Sequence, residues 1–272
     1  MSMTGGISFY DKSKTLFANG AQAVASSNIN DQNLPLSTNK YFKWESSGSD
    51  DAITETYTIT LPIAISINRI FLIDHNFKKF QIQYGASLDF ANVTGLDNYV
   101  DSKIDVTGFA RDTAYFEFDA VTTDTLILTI DTTQVVDAEK IIAQFIATNE
   151  IGTLTGYPKL NAVTLNRDTK REKAISGRFH IQKSFESAAF DLNLSTYPLQ
   201  ADIDLLDGLY NREDSFLVWL SGGLPNQFTY SQRGFLLKDV YQMQISRGLK
   251  NSYEKNVYLL GVNQKYSFIE VV

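Results

Sequence analysis

The stretch IAISINRIFLIDHNFKKFQIQY, residues 63–84, indicates the fold class of this chain more firmly than any other part of it. It reads as two apolar segments separated by a polar turn at residues 74–76. In the second segment Phe80, Ile82 and Tyr84 alternate with polar residues, and a period of two is typical of a strand with one face on a core. The stretch therefore predicts two buried β-strands joined by a turn.

The composition of the whole chain agrees with a packed β protein. Of its 272 residues 43% are hydrophobic, which is the level of a globular protein, and its 18 Phe and 14 Tyr favour sheets. There is no cysteine, which excludes disulfides, thiolate metal sites and a cysteine nucleophile. Core burial alone must therefore hold the chain together.

Charge and hydropathy exclude several classes of partner. The net charge is −7. Residues 1–169 carry 12 Lys and Arg against 20 Asp and Glu, so the first part of the chain is acidic, which argues against nonspecific nucleic-acid binding. The N-terminal sequence has no basic region followed by an apolar run, so we expect no secretion signal. No apolar run approaches about 18 residues, so we expect no membrane span.

The changes in composition along the chain predict four segments. We expect a polar N-terminal arm at residues 1–40, a β-sandwich at 41–152, a linker at 153–174 and a second antiparallel, barrel-like β domain with one short helix at 175–272. The arm reads either as irregular lead-in strands or as a segment that docks on a neighbouring subunit. The charged run 167–173 reads as a solvated loop.

Individual positions define the expected strand and helix ends. Pro62 is expected to end the strand that contains Tyr57, because proline cannot continue a central ladder. One helix is predicted from apolar residues at positions i, i+4, i+7 and i+11. These residues are Leu199, Ile203, Leu206 and Tyr210. Asp202 and Asp204 are expected on its solvent side near its N-terminus, where negative charge is favourable.

The order of these pieces over residues 35–150 resembles the discoidin or galactose-binding-like jelly roll. The matching residues are Thr38, Trp44 and Ser46, then Tyr57, Ile59 and Leu61, then Ile67, Ile70 and Leu72 before Asp74-His75-Asn76, and finally Phe80, Ile82 and Tyr84. Members of that family bind sugars, lipid headgroups or protein partners through loops at one end, and others are purely structural. The resemblance therefore implies a jelly-roll β-sandwich with a binding end.

Five residues are candidates for a glycan site on the loops of this sandwich. They are Trp44, Asp74, His75, Asn76 and Arg111. Two of them have simpler interpretations, because Trp44 also fits a core anchor and His75 also fits an ordinary turn residue. The Asp50-Asp51 loop after Trp44 offers oxygens that a calcium ion would accept, but no EF-hand pattern is present, so we predict no metal and no cofactor.

The second unit resembles the distal tail and baseplate proteins of tailed bacteriophages. The resemblance lies in its architecture and in the sequence LVWLSGG…FTYSQRGFLLKDVYQMQISRG, residues 217–248. It implies a structural protein of a virion tail, assembled in the host cytoplasm, whose partners are other tail or baseplate proteins and copies of itself. Trp219 in this stretch is expected in the core.

No catalytic pattern is visible in the chain. The two histidines, His75 and His180, belong to no H-E-x-x-H motif, and there is no G-x-S-x-G, no G-x-G-x-x-G and no P-loop. We therefore predict no enzyme and no catalytic residue. A glycosidase stays open, because two carboxylates distant in sequence can meet about 5–9 Å apart in a fold. The leading prediction is a structural tail protein, and the alternative is a carbohydrate-binding module for attachment to a host surface.

Overall fold

The computed structural model describes most of the chain, and the statements below concern those residues. The described residues are 7–12, 16, 19–37, 42–48, 50–85, 88–89, 113–155, 159–160, 164–173, 179–194, 199–219, 240–256 and 259–270, less a few single positions within them. Arg111, Pro198 and residues 220–239 lie outside them, and so does most of the long connection between residues 85 and 113. The side chain of His180 is also not described.

The described chain is mainly β, with antiparallel sheets and one helix, which confirms the predicted fold class. The strands of the first part are β1 (Ser8–Tyr10), β2 (Gln22–Ala25), β3 (Trp44–Glu45), β4 (Glu55–Ile73), β5 (Phe77–Tyr84), β6 (Leu88–Asp89), β7 (Thr113–Thr133), β8 (Ile141–Ile142), β9 (Gln144–Thr148) and β10 (Glu150–Thr153). The later elements are β11 (Lys159–Leu160), β12 (Thr164–Lys173), β13 (Phe179–Asn193), helix α1 (Gln200–Tyr210), β14 (Phe216–Trp219), β15 (Val240–Asn256) and β16 (Leu259–Glu270).

These elements separate into two compact units. The first contains Phe9–Ile151, and the second contains Gly152–Gly222 and Val240–Val272, together with the residues just before Phe9. The first unit holds a six-stranded sheet in the order β2-β4-β7-β5-β6, with β9 also paired to β4, and a two-stranded sheet of β3 and β8. The strand pairs described in this unit are all antiparallel.

The core of the first unit is built by the alternating side chains that the sequence shows. Tyr57 and Ile59 of β4 lie opposite Leu128 and Leu126 of β7, and all four side chains are fully buried. Burying an aliphatic or aromatic side chain of this size stabilises a fold by about 1.5–3 kcal/mol. The β4–β7 pair therefore anchors the unit, as the period of two predicts.

The predicted strand end at Pro62 is wrong. β4 continues through Pro62 to Ile73, but its pairing with β7 shifts between Thr60 and Ile65. The shift places several β4 residues opposite a single β7 residue, which is a bulge, and a proline without an N–H is accommodated at such a position. The bulge turns Ile63 outward, where 75% of it is exposed.

The second unit holds an open sheet. Its strands follow the order β14-β15-β16-β13-β11, with β12 also paired to β13. The two outer strands of this path do not pair with each other in the described residues, so the barrel-like closure that we expected does not occur there. Trp219 of β14 is 1% exposed, which confirms the expected core position.

Strands form within two of the predicted segments. Within residues 1–40 the structure places β1, β2 and a short 3-10 helix at Leu34–Leu36, whose Pro35 and Leu36 are buried. This agrees with lead-in strands, which is one of the two interpretations of the arm. Within the expected linker, Thr164–Lys173 forms β12 and pairs with β13. The charged run 167–173 is therefore a strand and not a loop, because every residue in it finds a partner on β13.

Helix α1 forms where the spacing predicts it, but one of its acids faces inward. Leu206 and Leu209 are buried, whereas Tyr210 is 42% exposed. Asp202 is also buried, and its Oδ1 accepts hydrogen bonds from the N–H of Thr155 at 2.9 Å and from the Thr155 hydroxyl at 3.0 Å. The expectation that Asp202 faces solvent is wrong, whereas Asp204 is exposed as expected.

No helix in the described residues has the length and apolar character needed to cross a membrane.

Replacing Asp202 by alanine is expected to lower the free energy of unfolding of the second unit by about 2 kcal/mol, because two hydrogen bonds from Thr155 to the buried Asp202 carboxylate are lost. The matched control, Asp204→Ala, is expected to change it by less than about 0.5 kcal/mol, since Asp204 is exposed. Urea unfolding followed by circular dichroism measures both. Equal losses in the two variants would contradict the buried role of Asp202.

Candidate functional site

Three segments of the first unit meet at one end of the sandwich. Trp44 pairs with Ile142 and Glu45 pairs with Ile141 through the β3–β8 ladder, which places residues 42–45 beside residues 139–142. The turn between β4 and β5, residues 74–76, is bonded to the same segment. We call the exposed surface of these three segments the sandwich end.

Trp44 lies in the core and not on the surface. Its side chain is fully buried, its ring centre lies 5.5 Å from that of Tyr57, and its Nε1–H donates to the Ser27 carbonyl at 3.2 Å. A ring in this position has no free face on which a sugar could stack. Of the two interpretations of Trp44, the core anchor is the one that its position supports.

His75 is also inside the unit. It is 2% exposed, and its ring lies 5.0 Å from that of Phe77 and 5.7 Å from that of Phe80. The Phe77 N–H donates to Nδ1 at 3.1 Å, which places the imidazole proton on Nε2. Burial lowers the pKa of His75 to about 3, against a smaller opposing effect of the Asp74 carboxylate. His75 is therefore a neutral core residue and has no ring face for a ligand.

Asp74 is the member of the turn that faces solvent. Its backbone has a φ of 53°, a left-handed conformation that aspartate tolerates better than most residues. Its Oδ2 lies 2.5 Å from Nζ of Lys43, and both side chains are more than one third exposed. Because exposed ion pairs contribute little to stability, this pair is available for a ligand without harm to the fold.

Asn76 fixes the third segment to the turn. Its Nδ2 donates to the Glu139 carbonyl at 2.6 Å, and its Oδ1 accepts from the Ile141 N–H at 2.9 Å. The side-chain amide of Asn76 thus makes one donated and one accepted hydrogen bond to the backbone of residues 139–141, as a neighbouring strand would. Ligand binding by Asp74 and Asn76 stays a prediction, and Arg111, the fifth candidate, lies outside the described residues.

A pair of carboxyl groups adds to the polar character of the sandwich end. A hydrogen bond to the Glu139 carboxyl raises the pKa of Glu45, and burial and the negative charge of Glu139 act in the same direction. Glu45 therefore takes up a proton at a higher pH than an isolated glutamate does.

The exposed aromatic residue of the sandwich end is Phe42, which sequence reasoning missed. It is 56% exposed and precedes Lys43 in the chain. Alternation offered a partial signal, because an inward Trp44 requires Lys43 and Glu45 to point outward. No sequence pattern indicates that Phe42 stays exposed, since it comes before β3 begins.

A second loop pair forms the tip next to the sandwich end. Asp51 joins the two loops, because its Oδ1 accepts from the N–H and the hydroxyl of Thr133 at 3.0 and 3.1 Å and its N–H donates to Asp137. Three aliphatic side chains are exposed on these loops. They are Ile53 at 53%, Val135 at 71% and Val136 at 72%. We call these three residues the apolar tip.

The described residues contain no group of three or more His, Cys, Asp or Glu side chains that could hold a metal ion. Among its described residues the sandwich end offers the Phe42 ring, the Lys43 ammonium and several carboxyl oxygens. Groups of these kinds can pack against an apolar face and form hydrogen bonds.

Comparison with known proteins gives similarity of fold at a low level. No protein-family model and no curated protein matches the chain. Among solved structures, it is similar to the carbohydrate-binding module CBM32-3 of a family 31 glycoside hydrolase from Clostridium perfringens, with 17% identity over 50% of this chain and 94% of that one and a TM-score of 0.37.

Two further similar structures were solved with sugars. The family 32 module of C. perfringens NanJ in complex with galactose shares 14% identity over 52% of this chain and 98% of that one, with a TM-score of 0.35. Chitosan-binding module 2 of a Paenibacillus sp. IK-5 chitosanase/glucanase, in complex with chitotriose, shares 18% over 48% and 98%, with a TM-score of 0.36. Scores of this size assign no ligand to the present chain.

His75 gives the first unit a defined dependence on pH. Because its folded pKa is about 3 and its unfolded pKa is about 6.5, the unfolded chain takes up a proton below pH 6.5 that the folded chain does not. The stability contributed by neutral His75 is therefore present above pH 6.5 and is lost as the pH falls towards 3. Between pH 7 and pH 5 the loss should be about 2 kcal/mol.

His75→Asn is the matched control, since its Oδ1 can accept the Phe77 N–H and it does not titrate. Urea unfolding at pH 7 and pH 5 should show a drop in the wild type that is about 2 kcal/mol larger than in the variant. The same drop in both proteins, or an imidazole that titrates near pH 6.5 by NMR, would contradict a buried His75.

Proposed function

We propose that the protein is a non-catalytic binding protein whose sandwich end binds a glycan. The observation that carries the proposal is the exposed side chain of Phe42, which precedes Lys43 in the chain, together with the exposed ion pair of Lys43 and Asp74. The alternative that the sequence left open, a carbohydrate-binding module for attachment to a surface, thus becomes the leading candidate.

The chemistry of a pyranose fits these groups. One face of the ring carries C–H groups that pack on an aromatic side chain, and its edge carries hydroxyls that both donate and accept hydrogen bonds. Among the polar groups of the sandwich end, Lys43 supplies donors, and Asp74 and Glu45 supply acceptors. A surface that combines an apolar face with a few fixed polar groups is the usual composition of a small-ligand site.

The scaffold holds these groups in place before a ligand arrives. The amide of Asn76 ties the turn to residues 139–141, and the Asn28 amide donates to the Glu45 carbonyl at 2.8 Å. Binding groups that are already ordered cost less conformational entropy when a ligand is bound. This rigidity supports binding without a closing motion.

The experiment is a glycan array followed by calorimetry, with galactose and chitotriose among the probes. Phe42→Ala is expected to weaken binding of the best probe by about tenfold or more, because the C–H face loses its packing partner. The matched control is Ile63→Ala, which removes an exposed apolar side chain on the β4 bulge and should change the affinity by less than about twofold. An array without hits, or equal affinities of wild type and Phe42→Ala, would overturn the proposal.

The apolar tip supports a second candidate function, assembly through protein–protein contacts, of which the phage-like tail protein inferred from the sequence is one case. Exposed aliphatic clusters on soluble proteins often mark protein–protein contacts. In this role the tip would bind a neighbouring copy or another tail protein in the virion. The bonds of Asp51 to both loops hold the tip in one conformation, as a repeated contact requires.

Self-association through the tip is tested by sedimentation velocity over a range of concentrations. Val136→Asp is expected to shift the protein to monomer, since a carboxylate in an apolar contact is strongly unfavourable. Val24→Asp, at a comparably exposed valine on β2, should leave the distribution unchanged. A wild type that stays monomeric at all concentrations would remove this candidate and leave the glycan proposal intact.

A further inference from the structure

Lys140 is a buried lysine at the base of the sandwich end. It is 1% exposed, and it is among the largest fully buried side chains of the described residues. Its Nζ donates to the carbonyl oxygens of Asp50 and Ile53 at 3.1 and 2.9 Å. An ammonium in such a position needs acceptors, because burying an unpaired charge is very costly.

The turn at residues 50–53 thus directs two carbonyl oxygens at one point. Backbone carbonyls that converge in this way are ligands that a calcium ion accepts, together with carboxylates and waters. Here the converging oxygens surround the Lys140 ammonium, which offers three N–H donors. The position that a cation would take is therefore filled by a side chain of the protein.

The carboxylates that would complete a metal site have other partners. Oδ1 of Asp50 accepts the Ala52 N–H at 2.7 Å, which caps the turn internally. Oδ1 of Asp51 accepts both donors of Thr133, on the opposite loop. The carboxylates of both aspartates therefore hydrogen-bond to loop residues and do not converge with the Asp50 and Ile53 carbonyls on one position.

The backbone of Lys140 is as firmly held as its side chain. Its N–H donates to Oγ of Ser46, and its carbonyl accepts the Ser46 N–H, both at 2.9 Å. These bonds join the residue to the segment that follows β3. Lys140 consequently connects three parts of the sandwich end: residues 46–48, the 50–53 turn and the segment that leads into β8.

We propose that the Lys140 ammonium is a built-in cation that fills the carbonyl cradle of the 50–53 turn, so that the loops of the sandwich end are ordered without a bound metal ion. Lys140 is in this sense a positioning residue. That the ordered loops serve glycan binding rests on the proposed function. The role of Lys140 in ordering them does not, and it can be tested without a glycan.

Two measurements on the wild-type protein test the proposal without a variant. Thermal unfolding in millimolar calcium chloride and in EGTA should give Tm values within about 1 °C of each other, because no metal stabilises the folded state. Brief amine acetylation of the native protein, read by peptide mass spectrometry, should modify Lys140 at least about tenfold more slowly than the exposed Lys43. A higher Tm in calcium, or equal acetylation of the two lysines, would overturn the proposal.

A pair of variants then tests whether the Lys140 ammonium orders these loops. Lys140→Met keeps the length of the side chain and removes the donors, and Lys79→Met is the matched control, because Lys79 is more than half exposed and pairs with Asp131 at 3.6 Å. Hydrogen exchange in residues 46–54 and 131–137 should accelerate by about tenfold or more in Lys140→Met and stay unchanged in Lys79→Met.

Unchanged exchange in Lys140→Met would also overturn the proposal. If that variant fails to fold, the calcium and acetylation measurements on the wild type still test whether Lys140 takes the place of a metal ion. A glycan array without hits combined with metal-independent unfolding and a protected Lys140 would remove only the proposed function.

Discussion

The pairing of β4 with β7 is the constraint on which the first unit depends. These are the two longest strands of that unit, and their register places Tyr57 against Leu128 and Ile59 against Leu126 in a fully buried layer. A shift of one residue would turn every one of these side chains to the opposite face, so the register is strongly specified. The bulge at Pro62 interrupts the hydrogen-bonded ladder between residues 60 and 65, and β4 stays paired with β7 on both sides of it.

The position of the proposed binding surface follows from this ladder. β5 begins at Phe77, which lies opposite Thr133 at the end of β7, and the Gln134 N–H donates to the Asn76 carbonyl. The turn 74–76 and the loop that follows β7 therefore leave the sheet at the same edge. There the amide of Asn76 joins the two, and Lys140 joins both to the 50–53 turn. Fixed strand ends thus produce a fixed set of exposed groups, although the residues come from three distant parts of the chain.

Sequence patterns predicted what depends on local periodicity and missed what depends on tertiary pairing. The alternation in β5 and the spacing in α1 identified these two elements, and the apolar run 63–73 was correctly predicted as a strand, although the strand begins before Pro62. The charged run 167–173 was expected as a loop because its pairing with β13 leaves no local sign, and Asp202 was expected outside because its partner Thr155 is distant in sequence. The sequence placed three candidate residues at the turn 74–76 and a fourth at Trp44, but it did not show which of them are buried. Trp44 and His75 face the core, whereas Phe42, which was not a candidate, is exposed.

The central claim is that a rigid sandwich presents Phe42 and its polar neighbours to a sugar and does no chemistry on it. Amide chemical-shift mapping by NMR, with galactose and chitotriose as probes, tests this claim most directly. The account predicts that the largest shifts fall on residues 42–45, 74–76 and 139–141, and that the recovered probe is intact. Shifts confined to the second unit, or a hydrolysed probe, would contradict it.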